Sequence, residues 1–275
     1  MMQWFDFDWL MARAGQLSVS QLAFACSAIF VGLTWFGILF IKPIFLRRWL
    51  RRQAGSNDLV NYASAGFSLF YGLLLGLLAV AAFNNVSNVE ASVDREAAGI
   101  ATLYRLMGAY PEPLRSGTQY LLRDYTQYVI HKDWPAHQQG KVWNGGALRL
   151  QVIAQSLINY EPESHSQAIL QEQSIKALND INTARQERLT GVTTQINGVL
   201  WYVVVIGAFV NIILIWLLDM RVTLHLILGG LISFFLGVVI FLIAAMDRPL
   251  QGAVAVSPAA YQRSYDLVMQ WDETK

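Results

Sequence analysis

Four apolar runs free of Asp, Glu, Lys and Arg punctuate the chain, at 21–41, 64–83, 199–218 and 224–246. Each is about 20 residues long, which at 1.5 Å per residue crosses a hydrocarbon layer of roughly 30 Å. A water-soluble domain could bury one such helix at its centre, but not four. The pattern predicts an all-α, multi-pass membrane protein with four transmembrane helices. Past the second run, Val86, Val89, Val93, Ala97, Ile100, Tyr104 and Met107 recur at three- and four-residue steps, one face of a helix. No Pro or Gly cluster separates that stripe from the second run, so one helix is predicted over 64–108. Pro111 and Pro113 restart the chain, and amphipathic helices are expected over about 114–134 and 147–160. Pro162 breaks the pattern and Ser164 is placed to cap a last helix, predicted to run straight into the third span.

The second and third spans are thereby expected to extend into a helical extramembrane domain. The predicted organisation is an interfacial segment at 1–20 and two spans with an Arg-rich loop at 21–83. The extramembrane domain follows at 84–198, then two further spans at 199–246 and a tail at 247–275.

Composition agrees: 55% of residues are hydrophobic and 14% charged. The net charge of +1 gives no basic field for nucleic acid, which is not an expected partner. The single cysteine, Cys26, excludes an intrachain disulfide and a cysteine zinc site. Asp6 and Asp8 stand where a secretory signal would carry cations, so no cleaved leader is expected; Trp4, Phe5, Phe7, Trp9 and Leu10 suit a headgroup-level segment. Lys42, Arg47, Arg48, Arg51 and Arg52 follow the first span, against only Arg13 before it. The positive-inside rule then puts that loop in the cytoplasm and the middle domain outside, with the chain in the cell (inner) membrane.

Signatures of catalysis are missing: there is no phosphate loop, nucleophile elbow or zincin helix. The chain is not expected to be an enzyme, and no cofactor or metal is assigned. His131 and His137 read as solvated surface histidines. Gly229, Ser233 and Gly237 form a small-residue face on the fourth span, and Gly72 and Gly76 a pair on the second. Small residues let helix backbones approach closely in lipid, within one subunit or between subunits. A further stripe of the second span, Ser64, Ser68, Tyr71, Leu75, Leu78, Ala82 and Asn85, is polar at both ends and apolar at its centre. Repeated around a symmetry axis it would line a pore with a hydrophobic neck; inside one subunit it would be ordinary core. Glu90 and Asp94, one turn apart beyond it, would ring a vestibule and enrich cations, or be solvated surface.

The chain resembles the bestrophin-like membrane family, mainly bacterial and four-span. The matching stretches are Asn57 and Asp58 leading to Gly66, then YGLLLG from Tyr71 to Gly76, and DREAAGIATLYRL from Asp94 to Leu106 with Pro111. They continue with Tyr125, Asp133, Trp134 and Pro135, ARQERL from Ala184 to Leu189, and Leu200 with Trp201. The fourth-span exit completes the set with Asp247, Arg248, Pro249, Gly252, Ser257 and Pro258. The family is distantly similar to bestrophins, pentameric chloride channels with a pore lined by the second span. The resemblance implies that the second span lines a conduction path here. Their Arg- and Trp-rich segment and acidic calcium clasp have no counterpart in this chain, so pentamer, chloride and calcium are not carried over.

The expected function is an oligomeric ion channel of bestrophin-like type, a homo-oligomer in the lipid bilayer with inorganic ions as cargo. The competing expectation is a membrane-anchored interaction or scaffold protein without transport.

Overall fold

The computed structural model describes residues 18–43, 56–252 and 254–270, which are helical with no strand. The segment carrying Trp4 to Leu10 and the cations Arg47, Arg48, Arg51 and Arg52 lie outside the described residues. Helix α1 is Val19–Phe36, continued by a π-helical turn at Gly37–Ile41. Helix α2 is Ser56–Met107, α3 is Leu114–Tyr128 and α4 is Trp134–His137, with a π-helical turn at Val129–Asp133 between the last two. Helices α5 (Gly145–Ile158), α6 (His165–Thr193), α7 (Gly198–Leu217), α8 (Val222–Met246) and α9 (Ala259–Ser264) follow. Four of these, α1 with its π turn, α2, α7 and α8, are long and apolar enough to span a bilayer.

Helix starts follow local chemistry. Ser18 begins α1 with a capping box, its hydroxyl accepting from Gln21 N while Gln21 Oε1 accepts from Ser18 N. Ser164 caps α6 by accepting from Gln167 N at 3.2 Å. One expectation needs correcting: α6 does not run into the third span. It stops at Thr193, Thr194 is extended, and Asn197 opens α7 with its side chain accepting from Val199 N at 3.0 Å. A β-branched threonine pair followed by an asparagine that captures a backbone N–H favours a cap over helix continuation.

The chain divides into two compact units, 1–84 with 195–247 and 85–194 with 248–275. In the first, α1 and α8 pack through small residues. A β-carbon on Gly237 would fall 2.6 Å from Ser27 Cα, and one on Gly229 would meet Ile38, Thr34 and Ile215 at 3.2–3.3 Å. Ser233 and Thr34 share a buried hydrogen bond of 2.5 Å. Where lipid offers no hydrophobic drive, such close backbone approach is what holds two helices together. Trp216 Nε1 donates to Thr34 O at 3.1 Å and Trp35 Nε1 to Leu226 O at 2.9 Å, adding interhelical polar contacts. At the end of α8, Asp247 accepts from Ile196 N at 2.6 Å and from Trp201 Nε1 at 3.2 Å, tying the start of α7 to the exit of α8.

The second unit is a water-protein-like core in which Val93, Ile100, Leu103 and Met107 of α2 meet Leu122 and Tyr125 of α3, Ile153 and Leu157 of α5, and Ile181 of α6. After Pro249 the chain turns at Gly252, whose φ of +90° suits glycine, and returns Leu250, Tyr261 and Met269 to the same core.

Candidate functional site

Within the first unit, α2 presents two different faces. Tyr71 (5% exposed), Leu75, Leu78 and Ala82 (0%) are buried against Val204 and Ala208 of α7 and Leu236, Ile240 and Ile243 of α8. Tyr71 OH donates to Val204 O at 2.7 Å, and its ring lies where a β-carbon on Gly207 would otherwise stand. The stripe predicted to line a pore is therefore covered at its centre, where these four side chains pack against α7 and α8 of the same subunit. Of the stripe's ends, Ser68 is exposed, Ser64 is half-buried, and Asn85 is half-buried in the second unit.

The opposite face of α2 is uncovered. Tyr62, Gly66, Leu69, Leu73, Leu77, Val80 and Asn84 recur at three- and four-residue steps and are all exposed, Leu73 at 61% and Leu77 at 62%. Among the described residues, a β-carbon on Gly66, Gly72 or Gly76 would meet nothing within 4 Å, so Gly72 and Gly76 pack against none of them. This face too is apolar at its centre and polar at its ends.

In the second unit, residues far apart in sequence meet in a buried polar cluster. The fully buried Glu96 of α2 receives Arg188 of α6 through two hydrogen bonds, Nε at 2.8 Å and Nη2 at 3.2 Å, and Tyr125 OH of α3 at 2.6 Å. Arg188 Nη1 lies 3.0 Å from His137 Nδ1 and, being a donor only, fixes that nitrogen as the acceptor. Its guanidinium also stands 6.0 Å from the Trp134 ring centroid and 5.8 Å from that of Tyr261. Asp133 and Arg185 complete the cluster, both buried. The Glu96–Arg188 pair is thus wholly enclosed, and His137, expected to be solvated, is fully buried; His131 is exposed.

Electrostatics follow from enclosure. Burial works to lower the Arg188 pKa, but the Glu96 carboxylate outweighs it and holds the guanidinium well above its usual range. Burial, helped by Arg188 and Arg185, depresses His137 to about 3, so the imidazole is neutral at physiological pH. Burial raises Asp133, against the pull of Arg188 and Arg185.

Glu90 and Asp94, expected to ring a vestibule, are exposed on α2, and Asp94 stands 3.8 Å from Arg263. Neighbouring Arg95 pairs with Glu187 at 2.6 Å. No group of three or more His, Cys, Asp or Glu suited to a metal occurs among the described residues. Sequence reasoning missed the Glu96 cluster as a structural centre, although Glu96, Tyr125, Asp133, Arg185 and Arg188 all fall within the motif stretches quoted above.

Fold and sequence together define an all-helical, four-span membrane protein with a second helical unit. The Bestrophin-like domain family matches residues 28–261, and the chain belongs to that family. Among solved structures it is similar to a single-residue variant of a bacterial bestrophin homologue from Klebsiella pneumoniae, with a TM-score of 0.66 and 10% identity over 92% of this chain and 99% of that one. A second variant of the Klebsiella pneumoniae protein matches with a TM-score of 0.63 and 11% identity, covering 91% and 98%. A further crystal structure described as a membrane protein gives 0.64 and 10%, covering 90% and 99%. No curated protein matches.

Proposed function

We propose that the protein is an oligomeric ion channel of bestrophin-like type, with the uncovered face of α2 lining the path. One observation carries this: the membrane portion of α2 buries one face in its own subunit and leaves the opposite, glycine-bearing face open. A single subunit of four spans encloses no path, so several copies must surround an axis. Leu69, Leu73, Leu77 and Val80 from each copy then form a hydrophobic neck that can gate by dewetting, with Asn84 at one end. Gly72 and Gly76 give neighbouring copies room to approach. Farther along the same helix, the exposed Glu90 and Asp94 supply carboxylates that enrich cations, Asp94 less so because Arg263 offsets it.

The test uses single cysteines at Leu73, Leu77 and Leu75 in a Cys26→Ser background, reconstituted in liposomes. Thiol reagents should block ion flux through Leu73→Cys and Leu77→Cys and spare Leu75→Cys, whose side chain faces the subunit core. Labelling of the first two without any change in flux would remove α2 from the path. Flux absent from every preparation, including wild type, would leave the anchored scaffold as the better description.

A further inference from the structure

In the second unit, Asp133 and Arg185 are buried neighbours that attract one another without sharing a hydrogen bond. Neither oxygen of Asp133 is in hydrogen-bonding geometry with a described group, and neither is Arg185 Nε. Both crowd the same spot on the first turn of α5: a β-carbon on Gly146 would stand 3.0 Å from Asp133 Oδ2 and 3.3 Å from Arg185 Nε. Two more donors of the cluster lack partners among the described residues. With Nδ1 of His137 accepting from Arg188, its proton is on Nε2, which meets no acceptor, and Trp134 Nε1 meets none either. The Trp134 ring packs edge-on to His137 at 6.4 Å and to Tyr261 at 5.9 Å, which places it in the cluster. The Tyr128 hydroxyl stands beside Asp133; partial burial, and then the charge and proximity of that carboxylate, raise its pKa.

The chemistry of these walls is selective. They offer one carboxylate that only accepts and several N–H groups that only donate. A metal cation would face Arg185 and Arg188, and a halide would face Asp133 and Glu96. Only a small neutral molecule that accepts and donates at once satisfies both sets, and water is that molecule. A buried donor or acceptor left bare carries a desolvation cost that native proteins avoid with ordered internal water.

We propose that the second unit contains a buried ordered-water site that bridges Asp133 to Arg185 and receives the N–H groups of His137 and Trp134. Gly146 keeps this site open, because a side chain there would press on both the carboxylate and the guanidinium.

The test is a high-resolution structure of the full chain in detergent or nanodisc, with crystals also grown in bromide. Expected is a solvent peak within hydrogen-bonding reach of both an Asp133 oxygen and an Arg185 nitrogen, with no anomalous bromide signal. In Gly146→Ala the peak should be lost while the Glu96–Arg188 pair persists. Direct Asp133–Arg185 contact with no density between them would overturn the proposal. A bromide peak there would overturn it in favour of an anion site, and an unchanged peak in Gly146→Ala would show that the water lies elsewhere.

Discussion

Acid should loosen the second unit through one histidine. His137 is fully buried, and its imidazole nitrogen accepts from Arg188, so the folded protein holds it neutral down to about pH 3. The unfolded chain protonates the same residue near the ordinary histidine value of 6.5. Over that window the unfolded state binds the extra proton, so stability falls as pH falls. Between pH 7 and pH 5 the linkage amounts to about 2 kcal/mol. Asp133 acts in the opposite sense, since its raised pKa favours the protonated folded form and adds stability as pH drops through that value. Denaturant titration of detergent-solubilised protein, followed by tryptophan fluorescence, measures the sum. His137→Gln removes the titration while leaving an amide oxygen for Arg188 to donate to. The variant should lose most of the acid sensitivity between pH 7 and 5, and Asp133→Asn should steepen it at lower pH. An identical pH slope in wild type and His137→Gln would refute the reasoning.

Arg188→Met should cost about 3–5 kcal/mol, because it strands the buried Glu96 carboxylate, and adding Glu96→Gln should recover part of that loss in the same titration. Gly207→Ala should destabilise the first unit by about 1–3 kcal/mol, since its methyl would enter the space held by the Tyr71 ring; Tyr71→Leu in the same background should relieve it. Leu77→Ser should raise liposome conductance by wetting the proposed neck, whereas Leu75→Ser should lower stability without that gain. Cysteines at exposed positions such as Glu90 should react with an impermeant thiol reagent from outside the cell if the middle domain lies there, and only after lysis if it does not.

The spans and the all-helical class were legible in the sequence because uncharged runs of that length have few other uses. The unbroken α2 was legible too, from the lack of any proline between its apolar and amphipathic parts. What the sequence left open was which face of α2 the subunit covers. Both faces of α2 repeat at helical spacing, and both are apolar at mid-membrane, so hydrophobicity does not tell a subunit core from a path or from lipid. The deciding feature was the hole at Gly207 that accepts Tyr71, a long-range fit with no local signature. The break before α7 was written in Thr194 and Asn197, residues whose capping chemistry competes with helix continuation. The buried cluster escaped because Glu96 and Arg188 each look like surface charges beside an apolar stripe. Their meaning lies in each other.

The Glu96–Arg188 pair also sets a schedule for biosynthesis. The two residues are 92 positions apart, so at about 5–20 residues per second the ribosome takes roughly 5–20 s to deliver the arginine after the glutamate. Throughout that interval the nascent α2 carries a carboxylate beside the apolar stripe of its extramembrane part without its later partner. The early chain must keep that stripe wet or shielded, and the arrival of α6 is the moment at which the fold can close.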